Sequence, residues 1–184
     1  MTLILLILTH FSLACANEQV WTRTTLLAPW QEGQLRSEFQ HRFSDKRETL
    51  NNVYRLTWMK PLSSELSVWS QLGVFNPNKG EQELRPALGL ATDTQRVLLE
   101  YRHFSDRDWV RLRYRSMFWI NQENAIYQEV FYESHRAQVT EWRLGAQYVP
   151  SLAAHFQFII RPFVVLRPEQ KSHFNLLLGP QWNF

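Results

Sequence analysis

Near the end of this chain an apolar side chain falls at every second position: Phe174, Leu176, Leu178, Pro180, Trp182 and Phe184. A period of two places all six on one face of an extended strand. An oily strand that runs to the last residue is a liability in water, where an exposed edge invites aggregation. It becomes reasonable when the strand closes a barrel and its oily face meets lipid.

The same alternation recurs upstream in segments of about ten residues, the length a tilted strand needs to cross a bilayer. Eleven segments are read at approximately 20–27, 34–43, 50–59, 65–75, 82–91, 95–104, 108–119, 125–135, 139–149, 153–166 and 172–184. Tyr54, Leu56 and Trp58 oppose Val53, Arg55 and Thr57, and Leu84, Leu88 and Leu90 oppose Glu83, Arg85 and Gly89. Val97, Leu99 and Tyr101 oppose Arg96, Glu100 and Arg102, while Val110, Leu112, Tyr114 and Phe118 oppose Arg111, Arg113 and Arg115. Trp142, Leu144 and Tyr148 oppose Glu141, Arg143 and Gln147. The eighth segment is the weakest, because Glu129 and Glu133 share a face with Tyr127 and Phe131. The expected fold class is all-β, an antiparallel up-and-down transmembrane β-barrel of ten or twelve strands. An antiparallel ring with both ends on one side needs an even count. Either the first segment lies outside the ring or one division is hidden.

Alternation alone does not say which face is inside. A soluble or lipid-anchored periplasmic β-sandwich or ligand-binding barrel, the alternative, would bury the apolar face and wet the charged one. A membrane barrel inverts this. Of the twenty basic residues sixteen are Arg, the cation suited to partly buried, multiply bonded sites, and few are Lys. Aromatics also sit at segment ends: Trp58, Phe118, Tyr148 and Trp182 fall at one level on the apolar face, as an interfacial girdle would.

At the N-terminus, Leu3 to Leu8 is an apolar run and Ala14-Cys15-Ala16 an A-x-A site. Residues 1–16 are therefore expected to be a cleaved signal peptide, with 17–184 a single β-barrel domain. Read as a lipoprotein box, Ser12-Leu13-Ala14-Cys15 would instead acylate Cys15. Cys15 is the only cysteine, so no disulfide framework is expected. The net charge of +3 would suit an anionic surface, but no nucleic-acid motif accompanies it.

Gly179, Trp182 and the terminal Phe184 resemble the C-terminal assembly signal of Gram-negative outer-membrane β-barrels. The stretch Leu99-Glu-Tyr-Arg-His-Phe-Ser-Asp-Arg-Asp-Trp-Val-Arg-Leu-Arg-Tyr-Arg115 resembles a hairpin of a bacterial domain family of unknown function. Its members look like small, secreted, Arg-rich β-barrels. The resemblance implies an outer-membrane address and no particular chemistry. The partners that follow are outer-membrane lipid or lipopolysaccharide and the barrel assembly machinery.

Two readings of the charged face stay open. Arg55, Arg85, Arg96, Glu100, Arg102, Arg111, Arg113, Arg115, Glu141 and Arg143 are the candidates for a lumen ion-pair network. Such a ladder either plugs the barrel with paired charges or forms a narrow, anion-biased pore. No cofactor or metal is expected, since the six His have no ligand spacing. A lipid A-modifying enzyme is the distant alternative. Glu133, Ser134 and His135 lie at the right height for it, but neighbouring strand residues point to opposite faces.

Overall fold

The computed structural model describes residues 17–44, 49–78, 80–168 and 170–184. The expected signal peptide, with Cys15, lies outside the described residues. The strands are β1 (Asn17–Trp30), β2 (Gly33–Ser44), β3 (Thr49–Pro61), β4 (Ser67–Pro77), β5 (Glu83–Ala91) and β6 (Gln95–His103). They continue as β7 (Asp108–Trp119), β8 (Asn124–Glu133), β9 (Gln138–Tyr148), β10 (Ser151–Ala153), β11 (Phe156–Leu166) and β12 (His173–Asn183). Strands β1 to β9 pair in sequence order as antiparallel neighbours. β9 then pairs with β11, β11 with β12, and β12 with β1. The all-β class holds, and the ring is a closed 11-strand barrel dominated by antiparallel pairs. The short β10 adds to the end of β11.

The expected count of ten or twelve strands is thus corrected to eleven. The parity argument required every pair to be antiparallel, but the β1–β12 seam is parallel, with Val20 beside Leu176 and Thr22 beside Leu178. An odd count is geometrically allowed once one pair is parallel, as in the 19-stranded mitochondrial barrel. The first segment therefore belongs to the ring. Asn17 lies beside His173 at one end of the barrel, while the Phe184 amide donates to the Leu27 carbonyl at the other, at 2.9 Å. These are called below the Asn17 end and the Phe184 end.

The seam has a local cause. Its ladder is interrupted between Thr22–Leu178 and Thr25–Gln181 with the register unchanged on either side, where Pro180 has no N–H to donate. Gly179 occupies the break, and a Cβ there would collide with the backbone of Arg23. Glycine is what allows β1 to approach. Gly145 allows a similar approach on β9, for a Cβ there would collide with the Pro162 carbonyl and with Phe163 of β11. It lies opposite Tyr127 on β8 and Phe163 on β11, whose ring centroids are 6.3 Å apart.

Turn chemistry fixes the hairpins at the Phe184 end. Thr92 Oγ1 accepts from the Gln95 amide at 3.0 Å, and Asn121 Oδ1 from the Glu123 and Asn124 amides at 2.9 Å. Pro61 ends β3 rather than starting the turn, which falls at 62–66.

The faces are unequal in the way that places the site. Leu88, Leu99 and Phe118 point outward and are 63%, 55% and 70% exposed. Glu83 and Glu100 point inward and are 1% and 2% exposed. Among the described residues no helix is long and apolar enough to cross a membrane, which says nothing of strands.

The parallel seam is directly testable. In a Cys15→Ser background, Thr22→Cys with Leu178→Cys should form a disulfide under mild oxidation of the folded barrel. Both positions are register partners on the outer face. Absence of that crosslink in a folded preparation would place β1 outside the ring.

Candidate functional site

The lumen is where the inward faces of the strands converge, and most of them carry charge. A narrow waist divides it, with a wider chamber on either side, and a side space of about 370 Å³ bordered by Arg42, Arg143 and Asn175 adjoins the chamber toward the Asn17 end. The chamber toward the Asn17 end holds about 710 Å³ and the one toward the Phe184 end about 280 Å³. The waist between them holds about 40 Å³, little more than one water's share of liquid volume. It shares Arg42, Arg55, Arg113 and Arg143 with the larger chamber and Arg23, Arg36, Arg96, Arg115 and Arg161 with the smaller. Around it nine arginines face two carboxylates, Glu38 and Glu129.

Strand register decides who pairs with whom. Glu100 on β6 is directly opposite Arg111 on β7, and their side chains meet at 2.5 Å. Glu129 on β8 receives Arg113 at 2.7 Å and Arg143 at 3.3 Å. Glu83 is held by Arg85 at 2.5 Å and by Arg102, which also reaches Glu133 at 3.4 Å. Glu141 takes Arg143 and, at 2.7 Å, Arg167. These are charge-assisted bonds on short cross-strand paths, the geometry that best offsets the desolvation of buried ions.

Other arginines of the anticipated set meet no carboxylate within 4.0 Å among the described residues. Arg55 donates to Gln40 Oε1 at 3.3 Å. Arg96 stacks on Trp69, 4.4 Å from the ring centroid, and Arg115 lies over Tyr127 at 5.3 Å. All ten residues of the anticipated network thus face the lumen, but in two classes, those bonded to a carboxylate and those resting on rings or amides.

The sequence reading missed half of the lumen's chemistry. Arg23 and Arg36 share Glu38 at 3.1 and 2.8 Å, Arg42 stacks on Trp21 at 3.9 Å, and Arg161 donates to Gln147. An apolar cluster of Trp21, Tyr127, Ile159, Phe163, Val165 and Leu177 also fills one side of the interior. Trp21 meets Phe163 edge-on at 4.9 Å. The available signal was parity, since each of these residues sits on the inward register of its strand. It also explains the weak eighth segment, where Tyr127, Glu129, Phe131 and Glu133 all point inward. There Phe131 carries the guanidinia of Arg111 and Arg143 at 4.8 and 4.4 Å.

No protein-family model and no curated protein matches the chain. Among solved structures, the barrel matches one described as a KdgM porin in complex with disordered oligogalacturonate. The match covers 83% of this chain and 85% of that one, with a TM-score of 0.52 and 14% sequence identity. The barrel is similar to a porin. At that identity the likeness concerns the fold.

Outside the lumen, Trp58, Phe118, Tyr148 and Trp182 all lie on the outer face toward the Phe184 end. Phe118 is the most exposed of the four, and Trp182 packs against Phe156 at 5.1 Å. Phe184 itself is 75% exposed. The three residues weighed for catalysis do not assemble. Glu133 turns inward to Arg102, and Ser134 Oγ accepts from the Val110 amide at 3.1 Å. His135 packs on Trp109 at 4.4 Å and accepts from Arg136. Among the described residues no cluster of His, Cys, Asp or Glu has the makings of a metal site.

The pairing predicts where the barrel is vulnerable. Glu129→Gln removes the one carboxylate shared by Arg113 and Arg143. It should destabilise the barrel by about 3 kcal/mol, because Arg113 loses its carboxylate and Arg143 is left with Glu141 alone. Urea unfolding followed by tryptophan fluorescence measures this, and a cost below about 1 kcal/mol would mean the pair is water-screened.

Proposed function

We propose that this protein is a small integral outer-membrane barrel whose arginine-lined lumen is a narrow, anion-biased passage. The observation that carries the proposal is the inverted exposure of the two faces. Leucines and aromatics cover the outside, while glutamates and arginines fill the inside. A soluble barrel or sandwich with that outer face would present a continuous apolar surface to water. The porin-like fold and the level belt of Trp58, Phe118, Tyr148 and Trp182 support the same reading. Lipid or lipopolysaccharide then meets the outer face. Gly179, Trp182 and Phe184 serve as the signal to the barrel assembly machinery. The first sixteen residues act as the secretory signal.

The anion bias follows from the imbalance at the waist, where arginines far outnumber carboxylates. A ring of guanidinia lowers the energy of a passing anion and raises that of a cation. The similar porin was solved with oligogalacturonate, an acidic saccharide, and acidic solutes are the natural class for this lumen too. Size sets a limit. The chambers have room for such a solute, but the waist does not unless its side chains move.

A second reading, a sealed structural barrel, is favoured by that same waist and by the apolar cluster beside it. The two part company in a planar bilayer. The passage reading expects detergent-extracted protein to shift in migration on SDS gels between unboiled and boiled samples. In a bilayer it should give small channels whose reversal potential in a KCl gradient favours chloride. A heat-modifiable barrel with no conductance above the bare bilayer would establish the plug. A protein that is soluble without detergent and shows no gel shift would sink the membrane placement altogether.

A further inference from the structure

Charge is unevenly distributed along the lumen. Toward the Asn17 end, Glu83, Glu100, Glu133 and Glu141 are interleaved with arginines. Toward the Phe184 end that pattern stops. Arg96 on β6 and Arg115 on β7 are direct register partners, so two like charges face each other across the sheet. Like charges placed this way destabilise a strand pair. Arg161 joins them from β11, for its guanidinium and that of Arg115 lie 5.0 and 5.3 Å from the same Tyr127 ring.

None of the three has a carboxylate within 4.0 Å among the described residues. Glu129 is opposite Arg115 in register, but its oxygens are taken by Arg113 and Arg143. The Nε atoms of Arg115 and Arg161 are buried and have no hydrogen-bond partner. Neither do Nε and Nη2 of Arg23, which is 7% exposed and borders the same space. The same arginines, with Arg96, line the chamber of about 280 Å³, whose only acidic lining residue among those described is Asp93 in an exposed turn. A ring, an amide or a neighbouring arginine does not neutralise a buried guanidinium; a bound anion does.

We propose that this chamber is a binding site for a small, multiply charged oxyanion, carrying carboxylate or phosphate groups, held by Arg96, Arg115 and Arg161. Planar guanidinia bind both groups through paired N–H donors, and three of them match a ligand of about three negative charges. The chamber lies on the Phe184 side of the waist, so the ligand enters from that end. The site deepens the passage reading and shares its lumen, but it needs only the chamber and not an open waist.

Citrate and pyrophosphate are the two ligands to titrate into the detergent-purified full-length protein by calorimetry at low ionic strength. Saturable binding of one per barrel is expected for at least one of them, and the tighter of the two assigns the carboxylate or the phosphoryl class. Arg96→Gln with Arg161→Gln should weaken it by about tenfold or more, the worth of one or two charge-assisted hydrogen bonds. Arg107→Gln, in the exposed turn at the opposite end, should leave it unchanged. The double variant removes like-charge repulsion and should keep its heat-modifiable gel shift. Should it not fold, wild-type protein gives the second measurement: a saturating rise in unfolding temperature with citrate or pyrophosphate that sulfate at equal ionic strength does not produce. No saturable binding of either anion, or binding indifferent to the double variant, would overturn the site. Chloride-selective conductance without saturable binding removes the site and leaves the passage. Saturable binding in a non-conducting barrel does the reverse.

Discussion

A guanidinium withdrawn from bulk water must find a counter-charge, a ring face or a hydrogen-bond acceptor, and this interior contains little else to organise. Strand register supplies the first of these wherever a glutamate lies opposite or next to an arginine, as with Glu100 and Arg111. Where register supplies none, the aromatic rings serve. Trp21, Trp69, Tyr127 and Phe131 each lie under at least one guanidinium. Aromatic side chains in the lumen are therefore partners of the charges and not stray core residues. Trp21 and Tyr127 also narrow the waist, since a ring flanked by arginines occupies the space a solute would need.

Much of this was legible in the sequence, and the reason is the strictness of the two-residue period. Once Leu99 is outside, Glu100 must be inside, and the same parity places Arg111, Arg113 and Arg115 together. That Trp58, Phe118, Tyr148 and Trp182 fall at one level was legible because strand direction alternates from hairpin to hairpin. Pairing within the lumen was less so. Arg23 in β1 lies among threonines and Arg161 in β11 among apolar residues, so neither strand looked charged. Tyr127 and Phe131 seemed to spoil the pattern of β8 because inward aromatics were not anticipated. Tyr127 lies opposite Gly145 across the sheet, a tertiary fact with no local signature.

The strand count failed for a different reason. Periodicity counts segments, and it counted eleven, but only the geometry of closure says how the first meets the last. A rule that assumed antiparallel closure forced the count to an even number. The seam instead depends on a Gly-Pro step, Gly179-Pro180, at which β1 draws close and one ladder bond is forgone.

That seam also sets the order of assembly. Each of the antiparallel neighbours from β1 to β9 joins strands adjacent in sequence, through short connections that close at small entropic cost. β1 and β12 are separated by nearly the whole chain, and no turn brings them together. Their contact has the highest sequence separation in the ring and is expected to form last, after the intervening hairpins have curled the sheet far enough for its edges to meet. Because the two edges run the same way, a short linker from Phe184 to Asn17 cannot join them. These two residues lie at opposite mouths of the barrel, so the fold does not admit circular permutation through a tight loop.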